Sequence, residues 1–371
     1  MRANTEKLTS DTVSGKRLQF ILSAIIEEHL ATGEPVGSKS VSERFANKLG
    51  QNVGMGSATV RNAMSEMEEA GLLTHPHTSA GRVPTDAGYR FYVDNLLGVL
   101  QISAEDLNLI NEHFGVSANE IQLAPERFLE RTSQFLSALS DNVGIVVSPS
   151  LAENRLQHIK FVNLADNRIL VILVSEPNLV HHKVIQLKQT FAQDELDKTA
   201  QYLNHEFAGK SLTAIRREIL QLMHNEKSLF DKMLQTAMIL CSESLPGDAE
   251  AAGAVLVSGA SNFLNKPDFS DFARLRELLR TFEEKSRLIQ ILNECIRRDA
   301  NESNAVQVVI GRENAVSTLQ NCALITAPYS LGKHTNAVGT LTVLGPTRIE
   351  YARLIAIVSY LSRLFENLPN N

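Results

Sequence analysis

The stretch that decides the fold reads Met55-Gly56-Ser57-Ala58-Thr59-Val60-Arg61-Asn62-Ala63-Met64-Ser65-Glu66-Met67-Glu68-Glu69-Ala70-Gly71-Leu72-Leu73, and it continues at Thr78-Ser79-Ala80-Gly81-Arg82-Val83-Pro84-Thr85. Val60, Met64 and Met67 recur at helical spacing, which predicts a helix over 58–70 with those side chains inward. Thr59, Arg61, Asn62, Ser65 and Glu69 are left outward. Ser57 is expected as the N-cap, and Gly71 as the C-terminal stop. Leu72-Leu73-Thr74 then starts a strand, His75 to Gly81 forms a turn, and Arg82-Val83-Pro84 returns as the second arm of a β-wing. A helix whose first turn carries small and hydrogen-bonding side chains suits the major groove of DNA. There Arg pairs with guanine, Asn with adenine, and a Thr methyl meets thymine.

Upstream, Leu18, Ile21, Leu22, Ile25, Ile26 and Leu30 mark a helix over 16–31 that Gly33 and Pro35 end. Ser38-Lys39-Ser40-Val41-Ser42-Glu43-Arg44-Phe45 opens the next helix, with Ser38 as its expected cap. Downstream, Thr85 or Asp86 caps a helix running to about Leu97, and 98–103 reads as a joint between domains. Beyond it the pattern predicts a helix over 125–140, a buried strand over 143–147, and a meander at 159–164, 169–174 and 180–187. Residues 193–245 are helical in about three pieces. A short strand at 255–257 and a helix over 271–298 follow, then strands at 306–311, 323–327 and 337–344 and a terminal helix over 350–367.

The chain has 371 residues, room for two or three domains, with 43% hydrophobic and 21% charged residues. A net charge of −6 excludes a protein that coats nucleic acid through bulk charge. Residues 1–95 hold ten Lys or Arg and eleven Asp or Glu, so any DNA-facing positive charge must be concentrated on one face. Cys241, Cys295 and Cys322 are 54 and 27 residues apart, too far for a zinc pair or a dense disulfide framework. They are expected as buried thiols of a cytoplasmic protein. The N-terminus has no signal-peptide core, and no apolar run of about 18 residues would span a membrane.

Among the charged side chains, Arg82, Lys39 and Arg90 either touch phosphates or are solvated surface charge. His75 and His77 flank Pro76 without further ligands nearby, which favours a polar wing tip over a metal site. His181 and His182 are strand neighbours and point to opposite faces. Gly54-Met55-Gly56 lacks the third glycine and the preceding strand of a dinucleotide fingerprint. No Walker loop, zincin motif or nucleophile elbow occurs, so no catalytic residue, metal or cofactor is expected and the chain is not read as an enzyme.

Gly33-Glu34-Pro35-Val36-Gly37-Ser38, Ser57 to Asn62, Ala80 to Thr85 through Gly88-Tyr89-Arg90, Gly339-Thr340-Leu341, and Gly345-Pro346-Thr347-Arg348-Ile349-Glu350-Tyr351 together resemble the HrcA family of bacterial heat-inducible transcription repressors. The resemblance implies a multidomain α+β protein. It comprises an N-terminal winged helix-turn-helix over 1–97 and a GAF-like α/β domain in two parts, 104–187 and 266–371, with an inserted, mainly helical dimerisation domain over 188–265. It also implies a homodimer on an inverted-repeat operator of double-stranded DNA, negative regulation of chaperone operons, and dependence on the GroEL chaperonin. The residues expected at the DNA are Ser57, Ala58, Thr59, Arg61, Asn62, Ser65, Lys39, His77 and Arg82. The alternative is a regulator gated by a small ligand in the GAF-like domain.

Overall fold

The computed structural model describes residues 13–49, 56–76, 81–114, 125–149, 154–175, 179–187, 189–225, 236–237, 239–241, 254–269, 271–284, 288, 291–292, 306–330 and 338–367. In chain order the elements are α1 (Val13–Thr32), α2 (Ser38–Leu49), α3 (Ser57–Glu69), β1 (Leu73–Thr74), β2 (Val83–Pro84), α4 (Asp86–Phe91), α5 (Ala104–Phe114), α6 (Pro125–Ser140) and β3 (Val143–Val147). They continue with β4 (Leu156–Asn163), β5 (Arg168–Ser175), β6 (Leu179–Gln186), α7 (Gln193–Phe207), α8 (Leu212–Asn225), β7 (Val255–Ser258), α9 (Phe272–Glu283), β8 (Gln307–Ile310), β9 (Cys322–Tyr329), β10 (Gly339–Pro346) and α10 (Tyr351–Glu366). The architecture is mixed α+β. Among the described residues, helices and strands fall close to where hydrophobic periodicity puts them; the end of the helical stretch expected over 193–245 and of the helix expected over 271–298 lies mostly outside the described residues. The exception is α5, which the sequence reading passed over because only Asp106 and Ile110 of that helix are buried.

Two compact units divide the chain: 1–103 with 308–325 and 344–357, and 104–307 with 326–343 and 358–371. The strands form a ribbon β1-β2, a five-stranded sheet in the order β7-β3-β10-β9-β8, and a three-stranded sheet β4-β5-β6.

In the first unit, Leu18, Ile21, Leu22, Ile25 and Ile26 form the apolar stripe of α1 and are buried with Val41 of α2 and Val60, Met64 and Met67 of α3. Arg44 fastens α2 to α1, at 2.5 Å from a Glu27 carboxylate oxygen and 3.3 Å from the Ala24 carbonyl. Thr85 caps α4, its hydroxyl accepting from the Gly88 amide at 3.1 Å while donating to the Gly71 carbonyl at 2.6 Å. After α4 the last turn widens, and the Leu97 amide reaches back five residues to the Tyr92 carbonyl at 3.1 Å. Arg90 is engaged within this unit. Its guanidinium meets both Glu313 carboxylate oxygens and the Val308 carbonyl, with Asp94 at 3.2 Å. Most of its fork is therefore taken by internal acceptors, which leaves little of it for a phosphate.

In the second unit, β4, β5 and β6 form an antiparallel meander whose first turn holds Asp166 and Asn167 in the left-handed region at φ 63° and 58°. Ile159, Phe161, Ile169, Val171, Leu173 and Ile185 share one core with Leu196, Leu203 and Phe207 of α7 and Leu212, Ile215 and Ile219 of α8. The open edge of β4 is closed by two amide side chains of α7. Asn204 donates to the Ile159 carbonyl at 3.0 Å and accepts from its amide at 2.7 Å. Gln193 does the same for the Phe161 carbonyl (3.0 Å) and the Asn163 amide (2.9 Å). The other face of this sheet carries Leu170, Ile172 and Val174 of β5, all partly exposed.

Cys241 and Cys322 are buried free thiols, each pushed up to about 12 by desolvation. Cys295 lies outside the described residues. Among those residues no helix is long and apolar enough to cross a membrane, and no three His, Cys, Asp or Glu side chains group as metal ligands.

Candidate nucleic-acid interface

α3 has two unlike faces. Val60, Ala63, Met64 and Met67 are buried, and Ala58, Thr59, Arg61, Asn62 and Glu69 are exposed. Among the described residues nothing pairs with the Arg61 guanidinium or the Asn62 amide, so both have their donors and acceptors available to an outside partner. Ser65 is half-buried and turns its hydroxyl back onto the Arg61 carbonyl at 3.2 Å.

The start of α3 corrects one expectation. The N-cap is Gly56, with no side-chain cap, and Ser57 is already helical. The Ser57 hydroxyl is instead engaged with that of Ser38 at 2.9 Å. This single contact ties the first turn of α2 to the first turn of α3, and a hydroxyl used between helices is unavailable for capping its own. The Thr59 amide turns back to the Gly56 carbonyl at 2.9 Å, and the Ser57 and Ala58 amides have no partner among the described residues, which leaves two donors for an approaching anion.

The far end of α3 fixes the ribbon. Gly71 sits at φ +77°, its amide bonded to Glu68 O and the Leu72 amide to Met67 O, both at 2.9 Å. This pair of reversed bonds ends the helix and turns the chain directly into β1. β1 and β2 pair antiparallel in the register Leu73 to Pro84 and Thr74 to Val83. Just before β2, Arg82 exchanges backbone bonds with Val36 at 2.9 Å in each direction, and a Cβ on Gly81 would run into the Val36 carbonyl.

The basic side chains divide. Lys39, 87% exposed in its side chain, has only a long 3.9 Å approach to Glu43, a pair worth little at the surface. It is free to swing to a phosphate. Arg82 is 15% exposed and lies 2.8 Å from Glu68 and 2.7 Å from His75 Nδ1. His77 lies outside the described residues. The structure thus brings Ser57, Ala58, Thr59, Arg61 and Asn62 together at one end of α3 and places Lys39 on the adjoining helix start. It holds Arg82 in an internal pair. The sequence reading gave Glu68 no role and took His75 as part of a polar wing tip without seeing its partners, because pairing between a helix end and the two arms of a ribbon leaves no periodic signal.

α3 thus has an exposed amino end and runs through Gly71 directly into a short antiparallel ribbon. A family model described as the HrcA protein C terminal domain matches residues 126–355. The heat-inducible transcription repressor HrcA of Geobacter sulfurreducens is 39% identical over 353 residues, covering 95% of this chain and 97% of its own. Its namesake in Syntrophobacter fumaroxidans is 36% identical over the same coverage. A crystal structure described as a hypothetical protein superposes with a TM-score of 0.64 at 21% identity, covering 94% of this chain and 96% of the other, a likeness of fold. The chain belongs to the HrcA family.

Proposed function

We propose that this protein represses transcription of heat-inducible genes by binding an inverted-repeat operator as a homodimer. One observation carries the reading: Thr59, Arg61 and Asn62 stand exposed on the outer face of α3 while Val60, Ala63, Met64 and Met67 lock its inner face. In this reading α1 to α4 with the ribbon are a winged helix-turn-helix, and α3 lies in the major groove. Arg61 and Asn62 read base edges, Thr59 and Ala58 touch apolar base surface, and the open α3 amino end with Ser57 and Lys39 meets the phosphates.

The five-stranded sheet with its flanking helices is the GAF-like domain. The dimerisation insert takes in β4, β5 and β6 as well as α7 and α8, for two reasons. These elements share one core, and the chain enters β4 beside the first turn of α8, the Leu212 amide reaching the Asn154 carbonyl at 3.1 Å. The outer face of its sheet supports a role in pairing. A central strand that runs Ile169-Leu170-Val171-Ile172-Leu173-Val174 is apolar on both sides, yet α7 and α8 cover only one. Two copies joined there present two α3 helices to the two halves of an inverted repeat. Chaperonin support, which family membership suggests, fits a repressor whose native fraction is the regulated quantity.

Footprinting of the purified protein on genomic fragments tests the reading. A protected inverted repeat with two-fold symmetric cleavage is expected. Protection without a repeat, or no protection, would remove it.

A further inference from the structure

The anchoring of the wing rests on three side chains that base reading does not use. Arg82 Nη2 lies 2.8 Å from a Glu68 carboxylate oxygen, Arg82 Nη1 lies 2.7 Å from His75 Nδ1, and His75 Nε2 lies 3.6 Å from the same Glu68 oxygen. Glu68 closes α3, His75 follows β1 on the outgoing arm, and Arg82 precedes β2 on the returning arm. One guanidinium therefore joins a helix to both arms of the ribbon. Its Nε is sealed from solvent, and its backbone is clamped to Val36 on both sides of the peptide.

We infer that Arg82 is a positioning residue that sets the angle of the wing against the reading helix through Glu68 and His75, and that it is not a phosphate ligand. The inference rests on the DNA-reading proposal above. The electrostatics favour it. Glu68 sits in the last turn of α3, where the helix dipole already disfavours a carboxylate. Drawing Arg82 away to a phosphate would leave that carboxylate uncompensated beside a polyanion. Keeping the pair closed leaves the ribbon fixed and the local charge neutral.

The two roles give opposite signs in one variant. If Arg82 is a phosphate ligand, Glu68→Gln removes a repulsive carboxylate and releases a cation, so every duplex binds more tightly. If Arg82 positions the wing, Glu68→Gln loosens it, and binding weakens only where the wing's placement matters. Arg82→Lys separates the roles again, because Lys keeps the charge but lacks the planar fork that spans two acceptors.

The experiment titrates the full-length protein against the genomic fragment that the wild type protects and against an unrelated duplex of equal length, over a salt series, with hydroxyl-radical footprints. Both Glu68→Gln and Arg82→Lys are expected to lose about fivefold in affinity for the protected fragment, equivalent to ~1 kcal/mol. Binding to the unrelated duplex should be unchanged, and the footprint should shrink on the flank that the wing covers. The slope of log affinity against log salt should match the wild type, whereas loss of a phosphate contact would flatten it by ~0.9. Tighter binding by Glu68→Gln, or wild-type binding by Arg82→Lys, would overturn the inference. If Arg82→Lys melts early by circular dichroism, the sign of the Glu68→Gln effect decides alone. A wild type that shows no preference between the two duplexes would instead sink the DNA-reading proposal, and this inference with it.

Discussion

Among the described residues nothing engages the Arg61 guanidinium or the Asn62 amide, so their removal is expected to leave the fold intact and, on the proposed function, to change recognition. Each of Arg61→Ala and Asn62→Ala should lower discrimination between operator and unrelated DNA by ~1–3 kcal/mol, read by competitive gel shift, with the thermal midpoint unmoved. His181 behaves in the opposite way. Its imidazole lies on the core side of β6 and is pushed down to about 4, mainly by burial, with His182 adding to the shift. Above pH ~6.5 it is neutral whether folded or unfolded, so it adds no pH dependence there. As pH falls from ~6.5 toward 4 the unfolded chain takes a proton that the fold refuses, so stability drops across that window, by roughly 2–3 kcal/mol, and levels off below it. Urea denaturation over pH 4–8 should show this slope in the wild type and a shallower one in His181→Leu.

At the level of the element, the three-stranded sheet treats its two edges differently. β4 lies against α7, where Asn204 and Gln193 satisfy backbone groups that would otherwise have no strand beside them. Such amides act as a false strand, and they also block edge-to-edge growth. Asn204→Ala should cost ~1–3 kcal/mol, because it leaves the Ile159 amide and carbonyl without their partner. The loss would register as a lower urea midpoint with an unchanged m-value. α3 shows the same economy. Its end is set by Gly71, its start is tied to α2 through the Ser38–Ser57 contact, and Val60, Ala63, Met64 and Met67 fix its rotation. A helix held at both ends and along one side keeps its exposed face in a defined orientation.

At the scale of the whole molecule, the proposed function needs two α3 helices held together, and the outer face of β5 is the surface we propose for that pairing. On that reading the wild type sediments as a dimer and Ile172→Asp as a monomer, while each protomer keeps its circular dichroism spectrum, because the site is half-exposed and the core beneath it is untouched. The monomer should lose most of its operator affinity, since one half-site contact replaces two. A monomer that protects the full repeat unaided would refute the pairing.

Much of this was legible in the sequence because it is local. The apolar spacing of α1 and α3, the alternation and turns of the meander, the stop at Gly71 and the exposed trio Thr59, Arg61 and Asn62 all follow from periods of 3.6 and 2 and from glycine's tolerance of positive φ. Family membership was legible for the same reason, through short words in a preserved order. The tertiary structure alone decided where charges and hydroxyls found partners. Ser57 turned to Ser38, Arg82 to Glu68 and His75, and Arg90 to Glu313, contacts that cross from 7 to 223 positions of chain. A hydrogen bond or ion pair depends on the meeting of two directed groups in space, and periodicity along a chain carries no record of which distant residue will arrive there.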